Sequence, residues 1–231
     1  MGKRIVVTGI GILSSIGIGK ESLWKSIISG KTSITKDKVY LDNEVWDSFY
    51  VHRIKNFNLD KFGIDSSRLR ELKEWNNQYP SIDLSYLIAA VKLAIDDCEV
   101  SYDPEQNNIS LVVSHENPGL GEFYSLILDD SFKILSNSKV KLKKKQYVET
   151  MFSSFSKNAY DLQTFMVLFH IAKLFGIHGY SQFINNACAS GLYALETAGQ
   201  IIQSDLSPMV IIAAGDHPDI FKYLWFKKIG L

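Results

Sequence analysis

The stretch that most constrains the fold runs from Tyr180 to Gly215, Y-S-Q-F-I-N-N-A-C-A-S-G-L-Y-A-L-E-T-A-G-Q-I-I-Q-S-D-L-S-P-M-V-I-I-A-A-G. An extended segment leads into Cys188, small residues and Gly191 follow, and a helical pattern carries the chain to a second apolar strand. This order sets a thiol where a strand turns into a helix. Backbone N–H groups without intrahelical partners and the positive end of the macrodipole favour an anionic sulfur there. Ala187, Ala189, Ser190 and Gly191 keep the surroundings small and let the chain turn sharply. A cysteine taken alone is more often an inert buried hydrophobe. The setting, more than the residue type, makes Cys188 the candidate nucleophile.

The remainder of the chain supplies a scaffold for such a site. Arg4–Thr8 is a short β-branched run, expected to be a buried strand, and it enters a turn studded with Gly9, Gly11 and Gly17. A dinucleotide fingerprint fails here, because Ser14 stands where the third glycine belongs and no strand-end acid follows at the right interval. Glu21–Ser29 reads as a short helix with Leu23, Trp24, Ile27 and Ile28 on one face. Residues 36–80 show little sustained periodicity and read as a surface excursion, with short helices over 58–73 that turn Leu69 and Leu72 inward. Ser81–Glu99 is a strongly apolar helix closed by Cys98, which is expected to be core.

Ile109–Val113 is a second buried strand. It meets the polar loop Ser114-His115-Glu116-Asn117-Pro118-Gly119-Leu120-Gly121, and loops just past strand ends are where open α/β sheets bind ligands. His115 and Glu116 are the most site-like charged pair outside the cysteine region. Lys139, Lys141, Lys143, Lys144 and Lys145 form a solvated run, with docking of an acidic partner as the functional alternative. Ser154–Phe175 is expected to be one long helix, buried on more than one side, with His170 as a core or interface histidine. Pro208–Ala214 is expected to be a fully buried strand.

Composition narrows the function classes. Lys+Arg and Asp+Glu are both 25, so no global field draws the chain toward nucleic acid or a membrane. Two cysteines far apart in sequence give neither a disulfide framework nor a structural zinc site, and a cytoplasmic, soluble protein is the expectation. The chain ends on K-K-I-G-L directly after an aromatic stretch, which reads as a stop in mid-fold.

With these motifs in hand, the sequence resembles the N-terminal half of a β-ketoacyl synthase, a thiolase-fold condensing enzyme of fatty acid or polyketide synthesis. The resemblance is carried by R-I-V-V-T-G-I-G-I-L-S-S-I-G at Arg4–Gly17, W-K-S-I-I-S-G-K-T-S-I at Trp24–Ile34, and G-I-H-G-Y-S-Q-F-I-N-N-A-C-A-S-G at Gly176–Gly191. It implies an α/β fold, a mixed β-sheet core with helices on both faces, over residues 1–231 as a half-domain whose C-terminal half is absent. It implies that Cys188 accepts an acyl chain as a thioester from an acyl carrier protein or coenzyme A, with its own N–H as one oxyanion donor. No cofactor or metal is expected.

The loop bearing His115, Glu116 and Asn117 falls where the family walls its acyl pocket, usually with small, glycine-rich sequence. These three are therefore the expected substrate-binding residues, and their polarity argues against an ordinary fatty acyl chain. The strand around Gln182–Ile184 is implied to pair with its twin across a dimer interface, in a homodimer or a heterodimer with a ketosynthase subunit. Two histidines, a lysine and a Gly-Phe-Gly-Gly-type loop needed for condensation belong to the other half of the family fold. On its own the chain is expected not to condense. Two other readings remain: a non-catalytic partner subunit like a chain-length factor, and an unrelated thiol hydrolase or transferase.

Overall fold

The computed structural model describes residues 3–41, 44–75, 80–105, 108–116, 148–149, 152, 163–217 and 220–230. Its centre is a parallel sheet of β5 (Ile109–Ser114), β6 (Ser181–Ile184) and β7 (Met209–Ala214) in the order β6-β5-β7. All six residues of β5 are buried, so the run I-S-L-V-V-S forms the middle strand because it meets apolar groups on both faces. β7 is buried less completely than its composition suggests: Met209, Val210 and Ile212 are half-buried and Ala214 is exposed. An outer strand is hydrogen-bonded along one side only, and that position leaves part of the run open.

Helices cover both faces. On one, α3 (Ile82–Asp97) and α4 (Thr164–Phe175) enclose the larger core, in which Leu87, Ile88, Val91 and Ile171 meet Ile109, Leu111 and Val113. On the other, α5 (Ser190–Gln203) lays Ala194 and Ile201 over Val112 and Ile184. Alternation along β5 assigns its odd and even positions to the two cores. α3 begins where the Ser81 hydroxyl accepts from the Leu84 N–H at 3.2 Å. Cys98 closes it, half-buried instead of in the core as expected, because it follows the last turn where the chain leaves the helix. The antiparallel members of the mixed set lie outside this sheet, in β1–β2 (Leu13–Ser14, Gly17–Ile18) and β3–β4 (Thr35–Leu41, Glu44–Val51).

Three expectations change. Arg4–Thr8 is not a strand: Ile5, Val6 and Val7 are exposed by 41%, 65% and 73%. β-branched residues express a strand preference only where a neighbour pairs with them, and β7 bonds only to β5 in the described sheet. The helix α1 (Lys20–Ile28) forms, yet Trp24, Ile27 and Ile28 face outward and only Ser26 is buried. The excursion over 36–80 contains the β3–β4 hairpin, which docks on α6 (Ile220–Lys228) through Phe49 stacked on Tyr223 and Lys227 paired with Asp47. Within it, α2 (Ser66–Trp75) buries Leu69 and Leu72 as expected. Residues 154–162 and the lysine run lie outside the described residues. Among those described, no helix is long and apolar enough to cross a membrane.

Gly9 and Gly11 have a packing reason. A Cβ on Gly11 would lie 1.9 Å from the Ala90 carbonyl oxygen, and one on Gly9 2.2 Å from that of Ala94. These glycines let the N-terminal segment press against the backbone of α3, which accounts for them without a phosphate.

Candidate functional site

Because β5, β6 and β7 are parallel, their carboxyl ends gather the segments Ser114–Glu116, Asn185–Ala189 and Gly215–His217. The Asn185 amide donates to the Glu116 carbonyl at 2.5 Å and the Gly215 N–H to the Ser114 carbonyl at 3.2 Å, which joins the three.

Between the end of β6 at Ile184 and the start of α5 at Ser190, the chain reverses in a tight turn. Ala187 adopts a left-handed backbone, φ 48°, which costs a non-glycine residue about 1–2 kcal/mol. Local hydrogen bonds hold it there. The Ala187 N–H donates to Asn185 Oδ1 at 3.3 Å, and the Ser190 N–H donates to the Ala187 carbonyl at 3.1 Å. The buried Ser190 hydroxyl accepts from the Asn186 N–H at 2.7 Å and donates to the Ala187 carbonyl at 2.6 Å. Cys188 is exposed on this turn, two residues ahead of the helix and not within its first turn. A thiol so placed is open to an incoming electrophile and close to the N-terminus of α5.

The second cluster reaches from the interior to the surface: Asp83 and His115 are buried, Glu116 is half-buried and Asp216 is exposed. His115 follows β5, is only 2% exposed, and sets Nε2 3.0 Å from Asp83 Oδ1 and 3.7 Å from Asp216 Oδ1. The Asp83 carboxylate accepts, so the ring faces it with the Nε2–H as donor. Lys222 on α6 pairs with Asp216 and lies 3.5 Å from Glu116 Oε2. Burial opposes the Lys222 charge, but the hydrogen bond to Asp216 and the nearby Glu116 and Asp83 carboxylates hold its pKa above the ordinary lysine value. A cavity of about 280 Å³ lies beside the cluster, lined by Ile12, Leu13, Asp83, Tyr86, His115 and Asp216 among others. Asp83, His115 and Asp216 bring donor atoms within 4.8 Å of one another, a spacing that could hold a metal ion. Lys222 already supplies positive charge at Asp216, so the group fits an internally neutralised network better than a metal centre.

The expected residues divide accordingly. Cys188 is on the surface, His115 is inside, Glu116 is half-buried and tied to Lys222, and Asn117 lies outside the described residues. Sequence reasoning missed Asp83, Asp216, Lys222 and the bonding role of Ser190. For Asp83 a signal existed: it falls four residues before Leu87 and eight before Val91, on the stripe of α3 that is buried.

Comparison with known proteins agrees with this fold. The chain is 24% identical over 224 residues to the 3-oxoacyl-[acyl-carrier-protein] synthase 1 of Buchnera aphidicola subsp. Acyrthosiphon pisum, covering 93% of this chain and 47% of that protein. It thus spans about half the length of that curated relative. Among solved structures, the ishigamide ketosynthase/chain length factor superposes with a TM-score of 0.69 at 17% identity, over 100% of this chain and 51% of the other. A type II polyketide ketosynthase, solved in complex with its acyl-carrier protein, superposes with a TM-score of 0.58 at 18% identity, over 100% and 49%. These likenesses establish the thiolase-like ketosynthase fold. The model for the N-terminal domain of β-ketoacyl synthase matches residues 2–78 and 117–224, and the chain belongs to that family.

Proposed function

We propose that this chain provides the acyl-accepting step of a ketosynthase in fatty acid or polyketide biosynthesis, with Cys188 as the nucleophile. The observation that carries the reading is an exposed thiol on a strained strand-to-helix turn, at the carboxyl ends of a parallel sheet. The sulfur attacks the carbonyl of an acyl thioester borne by an acyl carrier protein. The Cys188 N–H stabilises the oxyanion, the bond to the carrier sulfur breaks, and the carrier thiol leaves with the proton that Cys188 gives up. Decarboxylative condensation requires histidines supplied by a C-terminal half or by a partner chain. The loop sequence His115, Glu116 and Asn117 is assigned to the wall of the acyl pocket, and its polarity favours a chain with polar substituents over a plain fatty acyl group. β6, an outer strand of the described sheet, is the edge for pairing with a second ketosynthase chain, identical or not, in the cytoplasm.

Intact-mass spectrometry of the full chain after incubation with an acyl-loaded carrier protein tests this. One acyl group is expected on the wild type and none on Cys188→Ala. A second reading, a chain-length-factor-like partner, draws on the commitment of His115 to a buried pair with Asp83 at the pocket loop. It becomes the better account when no adduct forms with or without a complete ketosynthase.

A further inference from the structure

We infer that Ser190 is the positioning residue for Cys188. Its hydroxyl makes two bonds of opposite sense, accepting from the Asn186 N–H at 2.7 Å and donating to the Ala187 carbonyl at 2.6 Å. The two partners immediately precede Cys188, and Ala187 is the residue with the left-handed backbone. Only a hydroxyl can accept from an amide and donate to a carbonyl at once in so small a space, and Ser190 is 5% exposed. Alanine at 187 has no intrinsic preference for φ 48°, so a force from outside the residue must hold it. The Ser190 hydroxyl adds to the bonds from Asn185 Oδ1 and the Ser190 N–H the two shortest contacts on the turn, and from the first residue of α5 it fixes the sulfur relative to the helix N-terminus. Without it, Ala187 relaxes toward the right-handed region and Cys188 shifts away from the helix amides that stabilise a developing anion.

The role rests on Cys188 being the acyl acceptor, but its test uses no acyl donor. The second-order rate of Cys188 alkylation by iodoacetamide is measured on the full chain, peptide by peptide. Ser190→Ala is expected to react about tenfold more slowly, matching the loss of one or two well-formed hydrogen bonds. Ser190→Thr, which keeps the hydroxyl, stays within about twofold of wild type. Ala187→Gly combined with Ser190→Ala recovers most of the rate, because glycine adopts the left-handed region freely. Equal rates in wild type, Ser190→Ala and Ser190→Thr overturn the proposal.

Amide hydrogen exchange on the wild type gives a reading that does not depend on a variant's folding. The Asn186 N–H is expected to be protected, and exchange there as fast as in an unstructured peptide also overturns the clamp. A wild type that shows both clamp signatures yet takes no acyl group refutes the acyl-acceptor reading alone.

Discussion

Two polar regions meet at the carboxyl ends of the same sheet, and they are built on opposite principles. Around Cys188 the thiol is exposed, and the chain is held by short-range bonds to its own backbone across a strained residue. Around His115 a buried histidine and the buried Asp83 of α3 extend outward to the exposed Asp216 after β7 and to Lys222 of α6, so the bonds run between side chains distant in sequence. The first region can be altered without opening the core. The second holds α3, α6 and two strand ends together, so it is coupled to the stability of the whole fold.

That contrast predicts a graded series. Asp83→Ala leaves His115 Nε2–H buried without its carboxylate, and a loss of about 3 kcal/mol is expected in urea unfolding. A loss below 1 kcal/mol would mean that the interior cluster is ornamental to the fold.

His170 on α4 sharpens the interior side. Burial, aided by the nearby Lys173 ammonium, pushes its pKa down from 6.5 to about 4. The folded protein therefore keeps it neutral while the unfolded chain takes up a proton first. Its stabilisation is complete above about pH 6.5 and is lost as the pH falls to about 4, on the order of 2 kcal/mol in all. Urea midpoints at pH 7 and pH 4.5 should converge more closely in His170→Phe than in wild type.

On the exposed side, Ala187→Gly removes the left-handed strain and is expected to raise stability by up to about 1 kcal/mol, read from the same unfolding curves. Smallest of all, Cys188→Ala should change stability by less than about 0.5 kcal/mol, since the thiol is exposed. A large loss on removing Cys188 would erase the distinction between the two regions.

The same contrast explains what was legible in the sequence. β5, α3, α5 and the turn at Cys188 each rest on local signals: an unbroken apolar run, helical spacing, a Ser81 cap, small residues beside a cysteine. Features that depend on a distant partner were not legible. Ile5, Val6 and Val7 are good strand formers, but nothing in the described sheet pairs with them. Trp24 and Ile28 keep helical spacing yet are exposed, with no core of the described residues against them. The β3–β4 hairpin was hidden because charged residues interrupt its alternation and its docking partner, Tyr223, lies far along the chain. His115 was identified as site-like, but its burial follows from Asp83, which is 32 residues away.

In the proposed function, exposure on a strained turn, and not cysteine chemistry in general, makes Cys188 the acyl acceptor. Cys98, half-buried at the end of α3, is the internal control. The most direct measurement is the acyl occupancy of the two cysteine-bearing peptides, by mass spectrometry, after the full chain is incubated with an acyl-loaded carrier protein. Acylation on Cys188 with Cys98 unmodified is the expected result; acyl groups on both cysteines alike, or on neither, contradict the role of the turn.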